Sequence, residues 1–495
     1  MNYYSTRDIE KLHPKTSAQV IKQGIAEDGG LFLPESIPQI DLDFITEIGK
    51  LPYCERAAKV LSLYLTDYTY DELLDCATKA YGDNFGEFAA PVSSFIGDDL
   101  RVLELWHGPT CAFKDMALQI MPRLLSLALK KTGEDKTAYI LVATSGDTGK
   151  AALEGYKDVD NIKIMVFYPE DGVSDMQKMQ MATQEGSNVC VTAIKGNFDD
   201  AQTGVKKIFA DADAKQKLFE KGEFLSSANS INWGRLAPQI VYYISAYADL
   251  VAEGDIKAGE KIDITVPTGN FGNIFAAYLA KRMGLPVNRF ICASNSNNIL
   301  TDFLNTGVYD RNRKFYTTIS PSMDILISSN LERLLSCIAG AAKTKEYMEK
   351  LNKDGMYKVE PAILEKIKSE FSAYYCDEEN CMETIKSTFG KYSYLCDPHT
   401  AVAVKAAHMY LEENGKGLKN IVASTASPYK FAADVCASLG HKKPDDDLDA
   451  LALLKEVSGM EISYPLKDLD KREVRFNRTV DPEEMLDAVK DYLNA

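Results

Sequence analysis

Apolar residues recur along this chain in two distinct rhythms. A short continuous apolar run stands at residues 137–143, and further apolar-rich stretches of strand length at 162–168, 188–194, 262–266, 289–293 and 420–424. Runs of this length, bounded by turn residues, predict strands buried on both faces. Most are followed by stretches of helical periodicity, and that alternation predicts an α/β fold, parallel sheets covered by helices. Ligands in such folds collect in the crevice at the carboxyl ends of the strands. Before about residue 95 the spacing is helical. It is interrupted where Asp28-Gly29-Gly30 makes a tight turn into a short strand, Leu31-Phe32-Leu33-Pro34. Residues 337–390 are charged and helical in pattern and predict an inserted helical section. The resulting division is a mostly helical region over 1–95, a smaller α/β unit over 96–210, and a larger one over 211–495. Asp445-Asp446-Asp447 reads as a solvated loop, and a helical end opens at Pro482.

Four loops carry residues suited to chemistry. Gly108-Pro109 marks a turn before an apolar helical run over 116–129, which sets Lys114 at the start of a helix. A lysine does not complement the dipole there, so an ordinary solvated side chain is the plain reading. Thr144-Ser145-Gly146-Asp147-Thr148-Gly149 follows a strand and opens a helix at Lys150. Its glycines let the backbone approach an anion, its hydroxyls add donors, and a capped turn would explain it equally. Pro267-Thr268-Gly269-Asn270-Phe271-Gly272-Asn273 opens a helix over 274–283. It lacks the Gly-Lys-Ser/Thr of a Walker loop and the third glycine of a dinucleotide fingerprint, but its amides suit a single phosphate. Asn229-Ser230-Ile231-Asn232-Trp233-Gly234-Arg235 precedes a helix expected at Pro238. Asn and Ser at such turns are usually caps, while the Arg235 fork suits a phosphate.

Composition narrows the partners. A formal charge of −16 over 495 residues argues against a nucleic-acid or anionic-membrane surface. The closest pair of the ten cysteines, Cys376 and Cys381, is too widely spaced for a CxxC motif, so reduced, mostly buried thiols and no metal are expected. No secretory signal opens the chain and no apolar run nears the ~20 residues that span a bilayer, which predicts a cytoplasmic protein. The sequence is silent on oligomeric state.

His107-Gly108-Pro109-Thr110-Cys111-Ala112-Phe113-Lys114-Asp115 resembles the cofactor-lysine segment of threonine synthases, in the β-family of pyridoxal phosphate enzymes. The segment from Asp28 to Glu35, the phosphate-cup motif from Thr268 to Asn273 and the motif from Asn229 to Arg235 are also similar to segments of that family, in the same order. The resemblance implies a fold type II enzyme, with two α/β units around a central crevice, in the longer form that carries an N-terminal domain. It implies that Lys114 holds pyridoxal 5'-phosphate as a Schiff base and serves as the base. Asp147 would sit beside the cofactor's phenolic oxygen, and Gly269, Asn270, Phe271, Gly272 and Asn273 would hold its phosphate. Ser145, Gly146 and Thr148 would grip the substrate's α-carboxylate, and Arg235 with Asn229, Ser230 and Asn232 its phosphate. In the loop from Ser424 to Phe431, Thr425 keeps the position of a hydroxyl directed at the pyridine nitrogen, but Ser427 replaces the family's usual His. His107 and His399, the latter in a family-like Asp397-Pro398-His399-Thr400, are either acid-base groups or hydrogen-bonded structural residues. The implied reaction converts O-phospho-L-homoserine and water to L-threonine and phosphate, by γ-elimination and β-addition of water. A related dehydratase or phospho-lyase is the alternative.

Overall fold

In a computed structural model, described over residues 1–85, 89–93, 96–97, 99–144, 146–170 and 173–494, the apolar runs form strands. Five parallel strands make one sheet, in the order Thr479–Val480, Val189–Ile194, Ile162–Pro169, Thr137–Ala143 and Glu223–Ser226. Six make the other, in the order Phe371–Tyr375, Val287–Ser294, Ile262–Pro267, Asn420–Ser424, Leu100–Glu104 and Val92–Ser93. Only its last pair is antiparallel. The central strands are almost wholly buried, as expected of strands with helices on both faces.

The sheets interleave along the chain instead of following the expected split into 96–210 and 211–495. Leu100–Glu104, the strand ahead of Lys114, lies in the six-stranded sheet, whereas Glu223–Ser226 and Thr479–Val480 edge the five-stranded one. Arg101 and Glu104 break the apolar run of the first, and the other two are four and two residues long, so none stands out by periodicity. The section over 337–390 is not wholly helical either. Phe371–Tyr375 is an edge strand of the large sheet, buried on alternate residues, and Met356–Lys358 pairs with Val308–Asp310.

The N-terminal region is helical as expected, with Ser17–Gln23 and Tyr70–Tyr81 each opened by a capping box. Phe32–Pro34 pairs with Tyr3–Ser5, and the Phe32 carbonyl accepts from Arg333 Nε at 3.0 Å. Arg7 adds a two-pronged pair to Glu332, both bonds at 2.8 Å. The Asp-Gly-Gly turn and strand therefore brace the start of the helix Leu331–Ala339, next to the candidate site.

Two further expectations change. The helix expected at Pro238 starts at Trp233, because the Asn232 side chain caps it by accepting from Gly234 N at 2.8 Å; Pro238 lies inside its early turns. The acidic run is not a free loop. Asp446 caps the helix Asp447–Ser458, and the Asp447 carboxylate accepts from the Met176 amide at 2.8 Å, tying the helix Asp175–Ala182 to it.

The helix behind Lys114 is in two pieces, Asp115–Leu118 and Met121–Lys131. Pro122 has no N–H to offer the Leu118 carbonyl, which is left facing outward from the first piece. Gly155 lies against that carbonyl, so closely that a Cβ would stand 1.9 Å from its oxygen. Gly155→Ala is therefore expected to destabilise the fold by about 3 kcal/mol, the upper end for overpacking, read as a lowered urea midpoint with unchanged slope.

Candidate active site

Lys114 ends a loop that is braced from within and from outside. Inside it, the buried Asp115 carboxylate accepts from Thr110 N at 2.8 Å and Thr110 Oγ1 at 2.6 Å, and Gly108 lies against Asp115 where a side chain would clash. Cys111 takes a left-handed φ of 58° that such bracing sustains. Outside it, Phe113 N donates to the Thr425 carbonyl at 2.8 Å and Ser427 N to the Cys111 carbonyl at 3.0 Å. The lysine loop and the Thr425 loop are thus one backbone-bonded unit. Ser427 is fully buried, with its hydroxyl on Ser463 Oγ at 3.0 Å, so where the family has His this chain has a turn cap.

Three charges meet at the lysine. Lys114 Nζ lies 3.7 Å from Asp147 Oδ2, and Asp147 Oδ1 lies 2.7 Å from Lys430 Nζ. Lys430 is fully enclosed and also donates to the Thr110 carbonyl at 3.0 Å; Gln177 Nε2 donates to Asp147 at 3.1 Å. Burial would by itself raise the Asp147 pKa, but Lys430, Lys114 and Gln177 hold it well below the usual carboxylate range. Burial depresses the Lys114 pKa; Asp147 opposes this, and the cations Lys430 and Arg235 reinforce the depression. The result is an amine that loses its proton more readily than an exposed lysine. Lys430→Met should lower stability by about 3 kcal/mol, the low end for removing one partner of a buried pair, because Lys114 and Gln177 still face Asp147. Equilibrium urea unfolding measures it.

The loop at 268–273 shares this space. Gly269 packs so closely on the Ser322 carbonyl that a Cβ would stand 2.8 Å from the oxygen, and Lys114 Nζ donates to the hydroxyl of that same Ser322 at 3.1 Å. Phe271 adopts a left-handed φ of 61°, and no side chain caps the helix Gly272–Met283 that follows, which leaves its first amides to a ligand. Asn330 N and Nδ2 both hold the Asn270 carbonyl, at 3.0 and 2.9 Å, and Ser328 Oγ holds that of Gly269 at 2.7 Å. Asn273 accepts from Tyr242 at 2.9 Å and from Tyr243, while its buried Nδ2 has no partner. A buried amine of lowered pKa beside an uncapped, glycine-lined helix start fits an aldehyde with a phosphate tail.

Gly146 N-caps the helix Asp147–Tyr156 at a φ of 139°, again with no side-chain cap, and Thr148 is half-buried in its first turn. The Thr144 hydroxyl is used within the loop, accepting from Gly146 N at 3.0 Å and Gly149 N at 2.9 Å. Ser145 lies outside the described residues. Arg235 is buried, donates to the Ala228 carbonyl at 2.8 Å, and keeps an unpartnered Nε; burial lowers its pKa to about 10. Among the described residues it has no carboxylate within salt-bridge distance. Asn232 does not join Arg235 as a ligand group, because its amide is bonded at both ends, to Gly234 N and to the Ile21 carbonyl at 2.8 Å. Asn229 is exposed, its Oδ1 accepting from Ile231 N at 3.3 Å and Ser230 Oγ at 3.4 Å. His107 stacks on Trp106 and pairs with Glu104 at 2.7 Å. No group of His, Cys, Asp and Glu among the described residues could hold a metal ion.

Comparison with known proteins agrees with this geometry. Residues 89–424 match the model of the family described as "Pyridoxal-phosphate dependent enzyme", residues 2–81 that of "Threonine synthase N terminus", and residues 400–493 that of "Threonine synthase, C-terminal". Threonine synthase of Saccharomyces cerevisiae is 35% identical, over 99% of this chain and 98% of its own. The chain belongs to the threonine synthase family. Its fold type II architecture and its pyridoxal phosphate chemistry follow from that membership. The solved structure of a PLP-bound threonine synthase from Brucella melitensis is 36% identical and superposes with a TM-score of 0.88, covering 100% of both chains. The human protein named threonine synthase-like 1 is 41% identical over 89% of this chain, which spans 61% of that relative's length.

Ser322, Lys430, Gln177 and Asn330 escape a reading of the sequence. None lies in a periodic or glycine-rich pattern, and only the fold brings them to Lys114 and Asn270. Lys430 alone gives a local hint, two residues beyond a proline in the Thr425 loop.

Proposed function

We propose that this chain makes L-threonine and phosphate from O-phospho-L-homoserine and water. The observation that supports it is two anion sites around one lysine. The uncapped turn at 269–273 suits the cofactor's phosphate, and the buried Arg235, without a carboxylate partner, suits the phosphate of the substrate. An enzyme of this class whose substrate carried no phosphate would have no use for the second.

When bound, pyridoxal phosphate supplies an electron sink that makes a carbon next to an amino group acidic enough to ionise. Lys114 Nζ, its pKa lowered, takes the proton from the α-carbon. Arg235 holds the phosphate that leaves from the γ-carbon, and the helix start at Gly146, Asp147 and Thr148, with Ser145, orients the α-carboxylate. Asp147, kept charged by Lys430, would hold the cofactor's phenolic side, and Thr425 would offer a hydroxyl to its ring nitrogen. Loss of a β-proton releases the substrate's phosphate, the γ-carbon gains a proton to become a methyl group, and water then adds at the β-carbon. All ten cysteines are unpaired, which supports a reducing compartment, the cytoplasm. No helix of the described residues is long and apolar enough to cross a membrane.

Incubation of the purified protein with O-phospho-L-homoserine should give threonine and phosphate in equal amounts. Release of 2-oxobutanoate and ammonia in place of threonine would identify a dehydratase or phospho-lyase instead.

A further inference from the structure

Ser322 has none of the roles assigned so far, yet it touches three parts of the site. Its hydroxyl accepts from Lys114 Nζ at 3.1 Å, its amide donates to His399 Nε2 at 3.1 Å, and its carbonyl lies on Gly269. A backbone N–H can only donate, so Nε2 of His399 is the acceptor and the ring proton sits on Nδ1, 2.8 Å from Asp397 Oδ1. His399 is thereby occupied at both nitrogens and buried, a support for Ser322 and not a proton carrier. The following turn is fixed as firmly. The Asp324 carboxylate accepts from Asn295 Nδ2 at 2.7 Å, Asn297 Nδ2 at 2.9 Å, Thr318 N at 2.9 Å and Thr318 Oγ1 at 2.7 Å. Six side chains and the Gly269 surface therefore set one hydroxyl against one amine.

We propose that Ser322 is a further catalytic residue, whose hydroxyl carries a proton from the incoming water to Lys114 Nζ. This rests on the proposed threonine-forming reaction. As the water oxygen bonds to the β-carbon, one water O–H breaks and a new O–H forms on Ser322. The original hydroxyl proton of Ser322 moves to the amine of Lys114, which is free because the α-proton it first took has by then passed to the γ-carbon. No electrons are transferred, and the lysine ends as an ammonium that can return its proton to the α-carbon of the product. A serine suits this use because a hydroxyl donates and accepts at once, and because its position costs nothing to reorganise.

The test is Ser322→Ala beside Ser322→Thr. With the alanine variant kcat should fall about 10- to 100-fold while KM stays within about 2-fold, and a larger share of turnovers should end as 2-oxobutanoate, because water addition is the slowed step. A readout apart from turnover is the pH at which Lys114 of the full chain, freed of cofactor, becomes open to reductive methylation. That midpoint should move down in Ser322→Ala, since the ammonium loses an acceptor, and return in Ser322→Thr. If Ser322→Ala does not fold, Ser322→Cys, a poorer acceptor of the same shape, carries the same comparison. An unchanged product ratio, an unchanged kcat or an unmoved methylation midpoint would overturn the proposal. If the unaltered protein forms no threonine, it is the underlying reaction that fails, and the methylation midpoint still reports the contact separately.

Discussion

Lys114→Ala is expected to lower threonine formation by about 10⁴-fold or more, the full range that a positioned acid-base group supplies, and to abolish the visible absorbance of lysine-bound cofactor. The size of the effect follows from the absence of a substitute. Lys430 is close, but it is fully enclosed and bonded to Asp147 and the Thr110 carbonyl, so its amine cannot swing into the vacated place. The fold should survive, since Asp147 retains Lys430 and Gln177 as partners. Thermal denaturation followed by circular dichroism provides that control. A variant that kept both the absorbance and full turnover would remove the lysine from the mechanism.

Arg235→Met should show opposite signs in two measurements. Activity should fall, with kcat/KM for O-phospho-L-homoserine down about 10²- to 10³-fold, as expected when a charge-assisted contact of about 3–4 kcal/mol is lost. Stability should rise. A buried guanidinium with an unpartnered Nε and a pKa depressed to about 10 is a costly group in the ligand-free protein. Methionine fills similar space without that cost. A higher urea midpoint would register the gain, about 1–2 kcal/mol on the scale for replacing buried charged groups by apolar side chains. Added inorganic phosphate should raise the midpoint of the unaltered protein more than that of the variant. Unchanged saturation kinetics would remove Arg235 from substrate binding.

Reading the sequence recovers the parts of this molecule that local pattern encodes. Residues 137–143, 262–266 and 420–424 are strands in which nearly every residue is buried, and that leaves short, apolar-rich runs. The loops around Lys114, Asp147 and Gly269 are legible because glycines and hydroxyls sit at a strand-to-helix transition. Order within the sheets is not legible. Leu100–Glu104 lies beside Asn420–Ser424, and nothing within either segment specifies the other. Edge strands escape for a related reason: Phe371–Tyr375 buries only alternate residues, and its aromatic side chains fit the charged helical context around them equally well. Asn232 shows the limit for site residues. Its place beside Arg235 in sequence suggested a ligand group, but a helix that begins at Trp233 makes it the cap. Ser322 is the reverse case, a polar residue without local signal that becomes informative only when the fold sets it on Gly269 and Lys114.

The strand Thr479–Val480 completes a sheet whose other members lie between residues 137 and 226. During synthesis that sheet must wait, one edge open, while the last four strands of its larger neighbour emerge from the ribosome. A premature stop ahead of Thr479 would therefore take away a sheet margin, not a dispensable tail. For the same reason the two sheets cannot be recovered as separately expressed halves by a single cut in the gene.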